Sequence, residues 1–555
     1  MTQFISAATA RTISLDYCLA SLKPASPYGQ SAKRSMQPFL PGQEQQLDRE
    51  FTAVAGLLSL LRDPDSSRVL QRIYHLLSQL PDWRESLHRS SAGSVLTDPE
   101  FFALKQSVFF LRQIVLEGNK LNIPFPDIPE QALAELDTLL DPEKSGSPAF
   151  YLADGYSVRL AAVRSMLRDV QRRLISKRQE AELSATTSFG VSTNPAGEVV
   201  VSRLNETLRD SLEDSGYFSL SRETYTDAYY SIDPTDAETR LQHSLNDLRD
   251  QESQAEDEVR LTLSRQVRAH ADALYKAFAA TGTFDLTLAR ARLAFEWQAV
   301  CPEIVPDTNQ LVFRFTDARH PKVEEELHNE ERDFTPISLD LAHGLSVITG
   351  ANMGGKTVAL RTIGLLAALT AYGCFLPVQS ARLGLFSNIA ILAGDYSAEH
   401  HDGLSRFGQE VVGLREILKL RDDRSLLLID ELAASTNPFE GSALAVAVAE
   451  YLDKRTCIAV LTTHYDLVHR LEDAPHWQVV GLSRVPGEEL RLALEPGEQG
   501  ITVASLMDYT LRPVDARKDP PREAIRVARY LKLPAEIIRR ALDLTTIVPG
   551  GEKYE

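Results

Sequence analysis

"VITGANMGGKT", residues 347–357, joins an apolar, β-branched run to a glycine, four further residues, and then Gly355, Lys356 and Thr357. The pattern Gly350-x-x-x-x-Gly355-Lys356-Thr357 predicts a strand, a phosphate-cradling loop and a helix in that order. Along Gly350, Ala351, Asn352, Met353, Gly354 and Gly355, backbone N–H groups can converge on phosphate oxygens. Lys356 is placed to neutralise the β and γ phosphates, and the Thr357 hydroxyl to ligate Mg²⁺. The N-terminus of the helix adds partial positive charge at the same point.

Two apolar runs downstream give the loop a context. In "SLLLIDE", Leu426 to Ile429 predict a buried strand whose end presents Asp430 and Glu431. A carboxylate there can hold Mg²⁺ through water, which suits Asp430. Its neighbour Glu431 can orient or deprotonate an attacking water. "CIAVLTTHY" predicts another buried strand, with His464 at its end near the same sheet edge. A neutral imidazole there can contact a terminal phosphate; for a lone histidine the alternative is a capping or core role. From about residue 303, apolar runs alternate with helical patterns, which predicts an α/β domain.

The chain has 555 residues, 43% of them apolar, so two to four domains are expected. Lys plus Arg number 59 and Asp plus Glu 77, a formal net charge of −18. That balance argues against a nucleic-acid binder that uses its whole surface, and leaves room for a local basic groove. Cys18, Cys301, Cys374 and Cys457 are far apart, have no metal-ligand spacing, and read as reduced thiols. The N-terminus lacks a basic stretch followed by a long apolar run, and "GLLAALTAYGCFLPV" is too short for a membrane span. A cytoplasmic protein without membrane contact is expected.

The expected fold is mixed: an α-helical core and lever region with a small, partly β insertion, followed by an α/β P-loop domain. Residues 1–185 read as helical, with Pro-rich interruptions near 24–41 and 123–129, and end on an Arg-rich helix. Residues 186–236 carry turn signals and β-branched runs and read as the insertion. Residues 237–302 read as a second long helix, unbroken from Ala237 to Ala280, and a return to the core. Residues 303–555 form the remaining domain.

At this point the residues resemble a family. "DARHPKVE", "VITGANMGGKT", "LLLIDELAASTNPFEG" and "LTTHYD" together are similar to the ATPase domain of MutS proteins, which belong to the ABC class of ATPases. The resemblance is strong over 303–475 and looser elsewhere. It implies ATP and Mg²⁺ as ligands, ATP hydrolysis, a core, lever and clamp upstream, and C-terminal helices that help two copies dimerise. It implies composite sites as well. Ser405, in "GLSRFGQE", matches the family's serine that reaches the γ-phosphate from the second copy, although Arg406 follows where the family has Thr. Phe334, in "DFTPISL", matches the aromatic that stacks on adenine.

The chain starts almost at the core, so the mismatch-reading and connector domains of the repair enzymes are not expected. None of its 21 phenylalanines is followed two residues later by Glu, the motif that wedges beside a mispaired base. "GKTVALRTIGLL" and "GDYSAEHHDGLS" look more like the second bacterial MutS branch, which acts on recombination intermediates or stalled ribosomes, here without that branch's C-terminal nuclease domain. The leading expectation is therefore a DNA-associated ATPase dimer of repair or recombination type. Residues 201–260 hold fifteen acidic and six basic residues, the wrong sign for tracking phosphates. That keeps an alternative open: a chaperone-like ATPase acting on a protein or ribonucleoprotein partner, of ribosome type or as reactivase of a cobalamin-dependent aminomutase.

Overall fold

The computed structural model describes residues 4–123, 128–306, 311–350, 355–393, 406–420, 424–464, 474–481, 485, 507–514, 525, 528–529 and 533–547. The chain divides into two units, residues 79–280 and residues 1–78 with 281–555. Ala351, Asn352, Met353, Gly354 and Ser405 lie outside the described residues. Among the described residues, no helix is long and apolar enough to cross a membrane. All four cysteines are free; Cys18, Cys374 and Cys457 are buried and Cys301 is exposed.

The unit 79–280 is dominated by helices Val158–Phe189 and Asp236–Ala269. Ser157 caps the first by accepting the Leu160 N–H, and Gly190 ends it in the left-handed region. A capping box between Thr235 and Glu238 starts the second. The two run antiparallel, since Arg159 pairs with Glu258 while Arg164 pairs with Glu252 and Glu256. Val163, Leu167 and Leu245 bury the seam between them. The stretch 237–280 is not one helix. His270 leaves helical geometry, its N–H bonding back three residues to Val267, and a new helix, Ala271–Glu296, begins. No proline or glycine marks this break, so the apolar spacing alone ran straight through it.

Between the long helices, β1 (Glu198–Ser202), β2 (Phe218–Glu223) and β3 (Asp227–Ile232) form an antiparallel sheet in the order β1-β3-β2. Val199, Val201, Phe218, Ala228 and Tyr230 cover one face with Leu212 of the short helix Glu206–Glu213. That helix has no long apolar repeat; its one local signal is Asn205, whose side chain caps it.

In the other unit, β4 (Glu303–Ile304), β5 (Val312–Ala318), β6 (Ile337–Ala342) and β8 (Ser380–Leu383) form a sheet in the order β4-β8-β5-β6. The larger sheet contains β7 (Gly344–Thr349), β9 (Asn388–Leu392), β10 (Ser425–Asp430), β11 (Ile458–Thr463), β12 (His476–Gly481) and β13 (Asp508–Pro513). Its order is β13-β12-β7-β11-β10-β9, parallel throughout except for β13. Parallel strands are covered on both faces, which is why their sequences are continuous apolar runs. On β10, Leu426 and Leu428 pack with the helix Gly355–Ala371, whereas Leu427 and Ile429 pack toward helices Arg406–Leu418 and Pro438–Asp453. A Cβ on Gly364 would lie 2.9 Å from Ile13 and 3.0 Å from Leu428, so a glycine there lets the buried helix approach both.

Candidate nucleotide site

The central strands are parallel, so their C-terminal ends fall on one sheet edge, the usual place for a ligand in such a fold. β7 ends at Thr349 and leads to Gly350, whose φ of +144° is a backbone state that L side chains rarely adopt. A Cβ there would also stand 2.9 Å from that of Val479. The following helix begins at Gly355 and places Lys356, only 3% exposed, and Thr357 in its first turn.

β10 delivers the acidic pair to the same edge. Asp430 accepts hydrogen bonds from the Thr357 hydroxyl at 2.7 Å and the Thr462 hydroxyl at 2.5 Å, one on each carboxylate oxygen. Thr462 is the residue opposite Asp430 in the β10–β11 register. The chain then kinks, and Glu431 takes a φ of +47°. A non-glycine residue pays about 1–2 kcal/mol for that geometry. The Glu431 N–H, bonded to both the carbonyl and the hydroxyl of Thr462 at 3.1 Å each, holds it there. The kink turns the Glu431 carboxylate onto Lys356: Oε1 lies 3.0 Å from Nζ, which also donates to the Gly350 carbonyl at 2.8 Å. Lys356 and Glu431, and Thr357 and Asp430, thus meet through side chains, and Gly350 joins them through its backbone carbonyl.

The donor set fits its expected ligands. A hydroxyl and a carboxylate, joined by a 2.7 Å hydrogen bond, are hard oxygen groups of the kind Mg²⁺ prefers. A buried ammonium at a helix N-terminus is suited to phosphate.

His464 is exposed, one residue beyond the β11–β7 pair Thr463–Thr349, which puts it at this edge beside Gly350 in register. Phe334 is half-buried ahead of β6, in the four-stranded sheet. Thr462, Glu410 and His476 are contributors that the sequence patterns did not single out. Glu410 accepts the Ala433 N–H at 3.1 Å and the Ser435 hydroxyl at 2.9 Å, fixing the segment after the acidic pair. His476 Nε2 lies 3.2 Å from the Thr349 hydroxyl at the end of β7. The one available signal was the hydroxyl run Thr462-Thr463 before His464. His320, from "DARHP", is a buried cap whose Nδ1 accepts the Val323 N–H at 3.4 Å. Burial, reinforced by the nearby Arg361 charge, pushes its pKa down to about 4.

Residues 346–548 match the family model for MutS domain V. Endonuclease MutS2 of Thermomicrobium roseum is 28% identical over 517 residues, which are 88% of this chain and 60% of that protein. Endonuclease MutS2 of Geobacillus thermodenitrificans is 27% identical over 73% of this chain and 52% of its own length. That of Brevibacillus brevis is 33% identical over 228 residues, 40% of this chain and 28% of its own length. The chain spans about half the length of the curated relatives it matches. Its likeness is to the MutS family, and within that family to proteins named MutS2.

Proposed function

We propose that this chain binds ATP with Mg²⁺, hydrolyses the ATP to ADP and phosphate, and works as a DNA-associated homodimer whose nucleotide state moves its paired long helices. The observation that carries this reading is the convergence of Lys356, Thr357, Asp430 and Glu431 within hydrogen-bonding distances on one sheet edge. Gly350 to Gly355 would present backbone N–H groups to the phosphates, and Lys356 would neutralise the β and γ groups. Mg²⁺, when bound, would supply charge neutralisation between phosphates, held by Thr357 directly and Asp430 through water. On nucleotide binding, Lys356 exchanges its contact with Glu431 for phosphate oxygens. The freed Glu431 carboxylate then takes a proton from the attacking water. His464 would contact the γ-phosphate, Phe334 would stack on adenine, and Ser405 would arrive from a second copy.

DNA association is supported by similarity to relatives named as endonucleases and by exposed Arg172, Arg173, Lys177 and Arg178 on helix Val158–Phe189. Arg159 and Arg164 are committed to Glu258, Glu252 and Glu256. Arg172 and Arg173 pair with Asp169 and Lys177 with Glu180, all along their own helix and exposed, contacts that a phosphate would have to displace. The test is fluorescent-ATP binding to the parent and to Lys356→Ala, beside duplex and branched DNA binding across a salt series for the parent and for Arg172→Glu/Arg173→Glu. Nucleotide binding unaffected by Lys356→Ala would sink the ATP site. No DNA binding at low salt, with or without nucleotide, would sink the DNA part alone.

A further inference from the structure

Between helices Arg406–Leu418 and Pro438–Asp453 lies an open groove of about 770 Å³ lined by Val411, Leu414, Arg415, Leu418, Lys419, Tyr451 and Arg455. The first five recur at steps of three and four residues along two turns of one helix and its exit. Tyr451 and Arg455 face them from the end of helix Pro438–Asp453. The floor is aliphatic and aromatic, and every charged residue in the lining is basic, in a chain of net charge −18. Tyr451 is 53% exposed and Val411 40%. Glu416, which pairs with both Arg415 and Lys419, offsets one of those charges. Arg455 Nη1 is buried with no hydrogen-bond partner among the described residues.

We propose that this groove is a docking site for an amphipathic helix of a protein partner, with leucine-type side chains on the floor and acidic residues against Arg415, Lys419 and Arg455. An eight-residue step along an α-helix is about 12 Å, which matches two turns of a guest helix laid between two host helices. Charge complementarity selects an acidic guest. The site has a route to the sheet edge. The same helix carries Glu410, which holds Ala433 and Ser435 just after Asp430 and Glu431. Docking at its C-terminal end therefore bears on the segment beside the acidic pair; this consequence rests on the proposed ATPase reading, while docking itself does not.

The experiment uses the full chain and a synthetic helical peptide with leucines at i, i+3 and i+7 flanked by glutamates, followed by fluorescence anisotropy. The expected result is saturable, salt-sensitive binding, weakened at least tenfold by Arg415→Glu/Lys419→Glu and by Tyr451→Ala, and absent for the same peptide with lysines replacing the glutamates. Equal binding of the acidic and basic peptides, indifference to both variants, or no binding overturns the proposal. Loss of self-association in the charge-reversed variant, seen by sedimentation, would also overturn it by assigning the groove to a second copy.

Discussion

Thr462→Val tests the site through the β11 residue that holds both members of the acidic pair. The change keeps the β-branched shape and the strand, and removes one hydroxyl from a residue that is fully buried. That hydroxyl donates to Asp430 Oδ1 at 2.5 Å and accepts the Glu431 N–H at 3.1 Å. The amide keeps a partner, because it also bonds the Thr462 carbonyl at 3.1 Å. The net loss is one charge-assisted hydrogen bond, worth roughly 1.5–3 kcal/mol, partly offset by burying a methyl group in its place. Asp430 retains the Thr357 hydroxyl on its other oxygen but loses the bond that sets its rotation. Removing such an outer support of a metal-holding carboxylate typically lowers metal affinity ~10–100-fold. In a Mg²⁺ titration of ATPase activity, Thr462→Val should therefore raise the half-saturating Mg²⁺ concentration by about tenfold or more. Metal-free nucleotide binding should change little, and Thr462→Ser, which keeps the hydroxyl, should stay near the parent. An unchanged Mg²⁺ dependence in Thr462→Val would refute the idea that this threonine orients Asp430.

Other perturbations probe the surrounding frame. A Cβ on Gly29 would lie 2.1 Å from Oδ2 of buried Asp285, the carboxylate that accepts the Ala25 and Ser26 N–H groups and the Ser26 hydroxyl. Gly29→Ala should cost about 3 kcal/mol or more in urea unfolding. A Cβ there would also stand 2.8 Å from Pro24 Cβ, so the double variant with Asp285→Ala should lose less than the sum of the two single variants while keeping a residual cost; fully additive losses would contradict the clash with Asp285. His320, held neutral with its pKa near 4, binds fewer protons folded than unfolded between that value and the ordinary one near 6.5. Stability should be full above that ordinary value and fall as pH drops through this window, by up to ~3 kcal/mol. His320→Asn, which can still cap the helix, should remove this dependence in unfolding curves at pH 7 and 5; an identical slope in the variant would assign it to other groups. Arg164 bridges three carboxylates, those of Asp154, Glu252 and Glu256. Arg164→Ala should lower the protection of the paired helices in hydrogen exchange, and unchanged protection would show that Val163, Leu167 and Leu245 hold the pair alone.

What the sequence made legible followed from strong local rules. Parallel strands buried on both faces announce themselves as unbroken apolar runs, so β7, β10 and β11 were readable, and so was the delivery of Lys356, Asp430 and Glu431 to a common edge. The break at His270 was not readable, because helix-forming residues run through it and only an i to i−3 bond records it. Thr462 was missed for a different reason. Its role depends on cross-strand register with Asp430, which strand spacing does not specify. The left-handed Glu431 was equally hidden, since nothing in "IDEL" asks for a positive φ. Part of the arginine-rich helix face is taken up by the acidic helix beside it, since Arg159 and Arg164 pair with Glu258, Glu252 and Glu256.

The central claim is that Glu431 and Lys356 belong to one ATP-hydrolysing site. The direct measurement is a rapid-quench time course of γ-labelled ATP with Mg²⁺, run on the parent, Glu431→Gln and Lys356→Ala with nucleotide binding recorded in parallel. The account predicts turnover in the parent, a loss of about 100-fold or more in Glu431→Gln with binding intact, and loss of both in Lys356→Ala. Hydrolysis by Glu431→Gln at the parent's rate would contradict it.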